Sequence, residues 1–262
     1  MISIVIPTFN NLEYLKLCLK SLEKNSYKKH EIIFHINDGS DGTLEFIKNS
    51  NFKFTYSKKN LGLCSSINSA VKLSTNKYIL YSHDDMYFCP MWDKILLNEV
   101  NVIGHDNFYL SGTMIEAFSG HITFNCGTNI NTFSEEKLLK NYQNINYYDH
   151  QGSHFAPHLV SKRIWDLVGG FSEEFNPGIG SDPDFNMKLW KNGVRIFKGI
   201  NDFKVYHFSS ITTRKKPNLI QNKGDLTFLK KWGITSKFFK KYYLKSRTKF
   251  KGPLNNPKKT LF

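Results

Sequence analysis

Four short apolar runs, ISIVIP, EIIFHI, FKFTYS and KYILYS, lie between Ile2 and Ser82, and the stretches between them can form helices. The first helix is expected from Leu12 to Asn25, with Leu15, Leu19 and Leu22 on one face and Asn10 or Asn11 as its cap. Leu44 to Asn49 and Leu63 to Leu73 are the next two, and a fourth lies near Asp93 to Gly104. Strands joined by crossovers of this length run parallel, connect right-handedly and are covered on both faces. Sheets of this kind bind ligands beyond the carboxyl ends of their strands, so the polar residues just after each strand are the ones to weigh.

The middle of the chain predicts strands FYLSGTMI and HITF around a Ser-Gly turn, then helices over Ser134–Tyr142, Ser161–Val168 and Asp184–Asn192. Strands VRIF and KVYHF follow. The 262 residues suffice for one large α/β domain, and the composition is that of a globular chain. Cys18, Cys64, Cys89 and Cys126 are scattered without a C-x-x-C pair, which argues against a zinc site or a disulfide framework and fits a reducing, cytoplasmic compartment. The run Ile2–Ile6 is stopped by Pro7 and lacks preceding basic residues, so it reads as a buried strand rather than a leader; no segment reads as a membrane span.

Three strand ends carry candidate chemistry. Asn37-Asp38-Gly39-Ser40-Asp41-Gly42-Thr43 follows the second strand. Asp38 there either accepts hydrogen bonds from a base or ribose or belongs to a plain Asp-Gly turn. Ser82-His83-Asp84-Asp85 follows the fourth strand. Two adjacent carboxylates beside a core repel each other unless a cation or a proton intervenes, so they read as an Mg²⁺ or Mn²⁺ site or as a helix cap. His207, ending KVYHF, is either a third metal ligand or structural. Asp182, after Gly178-Ile179-Gly180, is a catalytic carboxylate or the cap of the following helix, with Pro183 suited to a first helical position. Thr212-Thr213-Arg214-Lys215-Lys216 is either a loop closing over a diphosphate, with Arg214 on phosphate, or a solvated loop. His154 and His158 read as ordinary polar residues, and Phe171, Phe175 and Trp190 as core.

In this order and spacing, SIVIPTFN, NDGSDGT, NLG, the Asp pair, VGGFSEEF and GSDPDFNMKLWKNG resemble the inverting glycosyltransferase family 2 over Ile2 to about Phe208. The resemblance implies an α/β GT-A fold: a mixed, mainly parallel sheet with helices on both faces. It implies a catalytic domain over 1–213, with a nucleotide-binding half 1–107 and an acceptor half 108–213. It further implies a nucleotide-sugar site of Pro7, Thr8, Asn10, Asp38, Asn60, Gly62, His83 and Asp84, to which the loop reading adds Arg214. Asp84 would hold Mn²⁺ or Mg²⁺, joined by His207 if the strand-end histidine is a ligand, and Asp182 would be the base that deprotonates a hydroxyl of a glycan or lipid-linked acceptor. UDP is the expected nucleotide, and polysaccharide synthesis the expected setting. The sequence departs from the family pattern where Asn37 opens a turn one residue short, where Ser82 and Ser181 replace acids, and where Ser65-Ser66-Ile67-Asn68 lacks an Arg. Ser82 and Ser181 support the alternative of a sugar- or polyanion-binding relative with impaired catalysis. A sugar nucleotidyltransferase would need a Gly-, Arg- and Lys-bearing loop after the first strand, and Pro7-Thr8-Phe9-Asn10 supplies none.

Charge is unevenly placed. Residues 1–213 hold 21 Lys/Arg and 21 Asp/Glu, whereas 214–262 hold 15 basic residues and the single acid Asp225. The neutral body argues against a nucleic-acid partner. The tail predicts a basic helical extension in which Leu226, Leu229, Trp232, Phe238, Phe239, Tyr242 and Tyr243 recur at helical spacing. It either lies on an anionic membrane at the inner face or docks its aromatic side on the catalytic domain.

Overall fold

The computed structural model describes residues 1–153, 155–209 and 223–257. Its centre is one ten-stranded sheet in the order β3-β2-β1-β4-β9-β6-β10-β5, with β7 beside β6 and β8 beside β10. The first half follows the expected alternation: β1 (Ile2–Phe9), α1 (Leu12–Asn25), β2 (Glu31–Asn37), α2 (Thr43–Lys48), β3 (Lys53–Ser57), α3 (Leu63–Val71) and β4 (Tyr78–Tyr81). β1 pairs parallel with both β2 and β4. Seven successive residues of β1, Ile2 to Thr8, are buried, which requires cover on both faces of the sheet.

Beyond β4 the chain is less regular than the sequence suggests. A short strand β5 (Met86–Phe88) turns back to pair antiparallel with the end of β10 (Ile196–His207). The expected strands VRIF and KVYHF are this one long strand, whose register on β6 (Phe108–Glu116) shifts between Gly199 and Lys204. HITF shrinks to β7 (Ile122–Thr123), and β8 (His150–Gln151) is added to the edge. β9 (His158–Ser161) inserts antiparallel between β4 and β6, which makes the sheet mixed.

Helix α4 (Trp92–Ile103) is entered through Met91, and α5 (Glu135–Asn141) and α6 (Lys162–Val168) through Ser134 and Ser161, each of which caps with its hydroxyl. Helix α7 (Ser181–Lys191) starts three residues early, so its cap position is Gly180 at φ 87° and Asp182 is not the cap. A Cβ on Gly180 would lie 3.0 Å from the Phe175 ring and 3.1 Å from the backbone of Gly224, so the turn needs glycine for space as well as for φ. Pro183 is tolerated because first-turn N–H groups have no helical partner.

The C-terminal segment packs on this body. Helix α8 (Gly224–Trp232) and a π-helical turn (Phe239–Tyr243) send Phe228, Phe239 and Leu244 into the main core, where they are fully buried. The last described stretch then runs beside β8, with Gln151 N–H on Thr248 O at 2.7 Å and Phe250 N–H on Asp149 O at 2.7 Å. Aromatic docking is therefore present, while Leu226 and Leu229 remain exposed.

Candidate active site

The strand order reverses between β1 and β4, and the sheet opens there. Their pairing ends at Val5 and Tyr81, with Ser82 N–H on Val5 O at 3.0 Å. Alternate residues of a parallel strand bond to opposite neighbours, so Pro7 presents its missing N–H to the gap beyond β4 and costs no ladder bond. Asn11 Nδ2 donates to Asp84 Oδ1 across this gap at 3.1 Å. Burial pushes the Asp84 carboxyl up to about 7, helped by the neighbouring Asp85 charge and opposed by Thr8 and Asn11. Asp84 Oδ2 and Asn10 Oδ1 are sealed from solvent and make no hydrogen bond of good geometry. Such atoms are costly unless a ligand or solvent meets them.

The shortened turn after β2 is held from both ends. Asn10 and Asp38 take positive φ of 48° and 61°, and Asn10 Nδ2 donates to Asp38 Oδ2 at 2.8 Å and to Ser40 Oγ at 3.1 Å. Asp41 caps α1 instead of Asn10 or Asn11, accepting Leu12 N–H at 2.9 Å. Asn37 is buried and structural: its Oδ1 accepts Leu61 N–H at 2.9 Å and its Nδ2 donates to Ser66 Oγ at 2.9 Å. Asn60 and Gly62 shape the entry to α3, with Gly62 N–H on Asn60 Oδ1 at 2.9 Å. The Cys64 N–H at that helix start is already taken by Asn176 Oδ1 at 3.0 Å.

The sheet register assembles a second group. His207 pairs with Met86 across β5–β10, which sets it beside Asp85, and Tyr206 pairs with Ile115 across β6–β10, which sets it beside Glu116. His207 Nε2 lies 3.4 Å from Asp85 Oδ1, and His83 Nδ1 lies 3.9 Å from the same oxygen. Ligand atoms of His83, Asp85 and His207 all fall within 4.8 Å of one another. Asp84 is not in this group. On its other side His207 Nδ1 meets Glu116 Oε1 at 2.6 Å, and Ser119 Oγ also donates to Glu116. Burial alone would lower the His207 pKa, but the Asp85 and Glu116 charges outweigh it and raise it to about 10. Burial would raise Glu116, but hydrogen bonds from His207 and Ser119 hold it below its ordinary value. Burial lowers His83 to about 4, leaving it neutral at pH 7.

The set fits a divalent cation. One carboxylate and two imidazoles converge, and the carboxylate of Glu116 on the far nitrogen of His207 is the usual partner of a metal-ligating histidine.

A cleft of about 300 Å³ runs past His83, Glu116 and His207 to Asp182, and its other wall includes His150, Ser153 and Arg247. Asp182 stands in the first turn of α7, half-buried, with Oδ1 sealed from solvent and without a hydrogen bond of good geometry. Burial raises its pKa to about 7, partly offset by the Lys240 charge. Ser181, where the family pattern has an acid, turns its hydroxyl to Gly178 O at 2.7 Å and closes the turn. His158 is a core residue on Tyr109, its Nδ1 at 3.0 Å from the phenol, and Phe171, Phe175 and Trp190 are buried as expected. Arg214 and His154 lie outside the described residues.

Sequence reasoning passed over Asp85 as a separate ligand, and it missed Glu116, His150, Ser153 and Arg247. A signal existed for Glu116 alone, a carboxylate closing the buried strand FYLSGTMI. The others become neighbours only through β5, β8 and the C-terminal segment.

Residues 3–159 match the family described as Glycosyl transferase family 2. An uncharacterized glycosyltransferase of Rickettsia prowazekii, RP339, is 37% identical over 244 residues, covering 88% of this chain and 72% of that protein. The hyaluronan synthase of Pasteurella multocida is 27% identical over 90% of this chain, but the match spans only 22% of the synthase. The chondroitin synthase of Escherichia coli is 25% identical over 82% of this chain and 30% of its own length. Among solved structures, S. aureus TarS in complex with UDP matches with a TM-score of 0.59 and 16% identity, over 78% of this chain and 59% of that one. GalNAc-T7 with UDP, GalNAc and Mn²⁺ matches with a TM-score of 0.60 and 14% identity, over 79% of this chain and 43% of that one. Among the described residues, no helix is long and apolar enough to cross a membrane.

Proposed function

The chain belongs to glycosyl transferase family 2 and has the GT-A fold, and from that premise we propose that it moves a sugar from a UDP-sugar to an acceptor hydroxyl, with inversion and the aid of a divalent cation. The observation that carries the reading is a single cleft. It joins the His83–Asp85–His207 group to a carboxylate, Asp182, whose pKa of about 7 matches the working pH of a base.

On the donor side, Thr8, Asn10 and Asp38 at the ends of β1 and β2 take the nucleoside, and Asp84 Oδ2 offers it a further acceptor. His83, Asp85 and His207 would hold the cation, and their mixed nitrogen and oxygen donors favour Mn²⁺ over Mg²⁺. We thus give the metal role that sequence assigned to Asp84 to its neighbour Asp85. When bound, such an ion supplies Lewis-acid neutralisation of the charge developing on the departing diphosphate. Asp182 takes the proton of the acceptor hydroxyl as that oxygen bonds to the anomeric carbon. The bond from that carbon to the diphosphate oxygen breaks, and its electron pair leaves with UDP. Attack opposite the leaving group inverts the carbon. The acceptor is a glycan or lipid-linked sugar, and the exposed lysines Lys230, Lys237, Lys241 and Lys245 add weak attraction to an anionic membrane.

Family membership sets aside the nucleotidyltransferase alternative. A catalytically impaired binding relative is separated by experiment. Slow UDP release from a UDP-sugar, dependent on Mn²⁺ and lost in Asp85→Ala, is the expected outcome. If UDP, GDP and dTDP all fail to raise the melting temperature with Mn²⁺ present, the donor site is misassigned.

A further inference from the structure

We propose that the part of the cleft bounded by His150, Ser153 and Arg247 binds an acceptor sugar carrying a negative charge, a carboxylate or a phosphate, close to the attacking hydroxyl. The inference rests on the reading of Asp182 as the base that meets this acceptor.

Two buried polar groups stand in this wall, one of them, His150, within reach of the Tyr148 backbone. His150 and Ser153 are 2% and 3% exposed, yet neither ring nitrogen of His150 nor Ser153 Oγ makes a hydrogen bond of good geometry. Both line the cleft that Asp182 enters. Buried polar groups left unpaired lower stability, and a ligand rich in hydroxyls satisfies them. Gly199 admits the His150 ring, since a Cβ at that position would lie 2.0 Å from it. Burial lowers the imidazole pKa to about 4, against the opposing pull of the Tyr148 backbone and the Asp149 charge, so the ring is neutral and keeps a nitrogen for a ligand.

Arg247 supplies the charge. Among the described residues its guanidinium has no carboxylate partner, although it shares a cleft with Asp182 and Glu116. Its backbone is firmly set. Lys245 and Arg247 take φ of 50° and 67°, the left-handed region that side chains other than glycine seldom adopt. Such a conformation persists where surrounding contacts over-determine it. Here Ser246 Oγ donates to Gly152 O at 2.9 Å, Gln151 N–H to Thr248 O at 2.7 Å, and Tyr148 OH to Arg247 O at 3.2 Å.

Arg247 is exposed at the cleft's edge on a set backbone; a neutral acceptor needs no guanidinium there, whereas an anionic one beside Asp182 needs a counter-charge, and guanidinium pairs with carboxylate or phosphate through two parallel bonds. Thr8, Asn10 and Asp38 do not line this cleft, so Arg247 is not placed for the nucleoside; His83 and His207 do line it, so UDP and Mn²⁺ stay present in every arm of the test, which reads only the preference among acceptor sugars.

The test uses the full chain with UDP and Mn²⁺ and measures calorimetric binding of methyl β-glucuronide, glucose 6-phosphate and methyl β-glucoside. One anionic sugar should bind about ten- to a hundredfold more tightly than the neutral glucoside. Which of the two does so identifies carboxylate or phosphate as the recognised group. Arg247→Ala should erase the preference and Arg247→Lys should retain part of it, both at an unchanged melting temperature. The inference is overturned if neither anionic sugar is preferred, or if folded Arg247→Ala keeps the preference. UDP–Mn²⁺ stabilisation of the unaltered chain, measured without sugar, judges the donor reading by itself.

Discussion

The proposed nucleoside site and the cleft beside it are built from different kinds of sequence. The proposed nucleoside site uses Thr8 near the end of β1 and Asn10, Asp38 and Asp84 just after parallel strands of the regular β1–β4 half, held by short bonds such as Asn10–Asp38. The proposed acceptor side collects His150, Asp182 and Arg247 from three distant parts of the chain, and Arg247 reaches it because residues 246–251 run beside β8. The donor side is thus set by local turns and the acceptor side by long-range docking. Damage to one should therefore be separable from damage to the other.

The largest separation is expected from Asp182→Asn. Losing a general base lowers transfer by about a thousandfold, while UDP binding with Mn²⁺ is retained. Unchanged transfer would remove Asp182 from the mechanism. In the unaltered chain the rate should fall as pH drops below about 7, where Asp182 takes up its proton, and the variant should lose that limb. The raised pKa also bears on stability. Protonated Asp182 is favoured in the folded chain, a contribution present in full below the ordinary carboxylate pKa and lost as pH rises through about 7. Asp182→Asn should therefore melt higher than the unaltered chain at pH 8 and no higher near pH 3.

Next comes the junction between the two sides. Asp85→Ala should weaken Mn²⁺ binding by about a hundredfold, read by the Mn²⁺ dependence of the UDP thermal shift. Asp84→Ala should weaken UDP binding but keep that dependence; the reverse pattern would return the metal to Asp84. Glu116→Gln removes only the charge behind His207 and should cost about tenfold in Mn²⁺ affinity.

The same contrast explains what the sequence disclosed. Asp38 and Asp84 were legible because strand, turn and helix follow one another within a few residues, so periodicity alone marks the strand ends. Glu116 obeys the same rule and could have been found. Arg247 could not, because nothing local distinguishes it from the other basic residues of the tail. Its place depends on backbone bonds from Thr248 and Phe250 to β8 and its neighbour Asp149. The start of α7 was misjudged because Asp184 looks like a helix opener, whereas the turn begins at Gly178, whose carbonyl takes the Ser181 N–H at 3.1 Å and hydroxyl at 2.7 Å. Asp184 is instead buried as an anchor for the tail.

That anchor gives the smallest effect and the finest test of the contrast. Asp184 Oδ1 accepts Trp232 Nε1 at 2.8 Å and meets Lys231 Nζ at 3.0 Å, while Ser172 Oγ donates to Oδ2 at 2.6 Å. Lys231 also reaches Glu174 at 2.8 Å. Lys231→Met keeps the aliphatic stem and removes the charge. Asp184 retains two donors, and the lysine side chain is 26% exposed, so water screens part of the pair. The loss should be about 1–2 kcal/mol, seen as a lower denaturant midpoint. Because α8 braces the turn that carries Asp182, transfer should fall severalfold while UDP affinity stays level. Equal losses in both would mean that the tail supports the whole domain rather than the acceptor side.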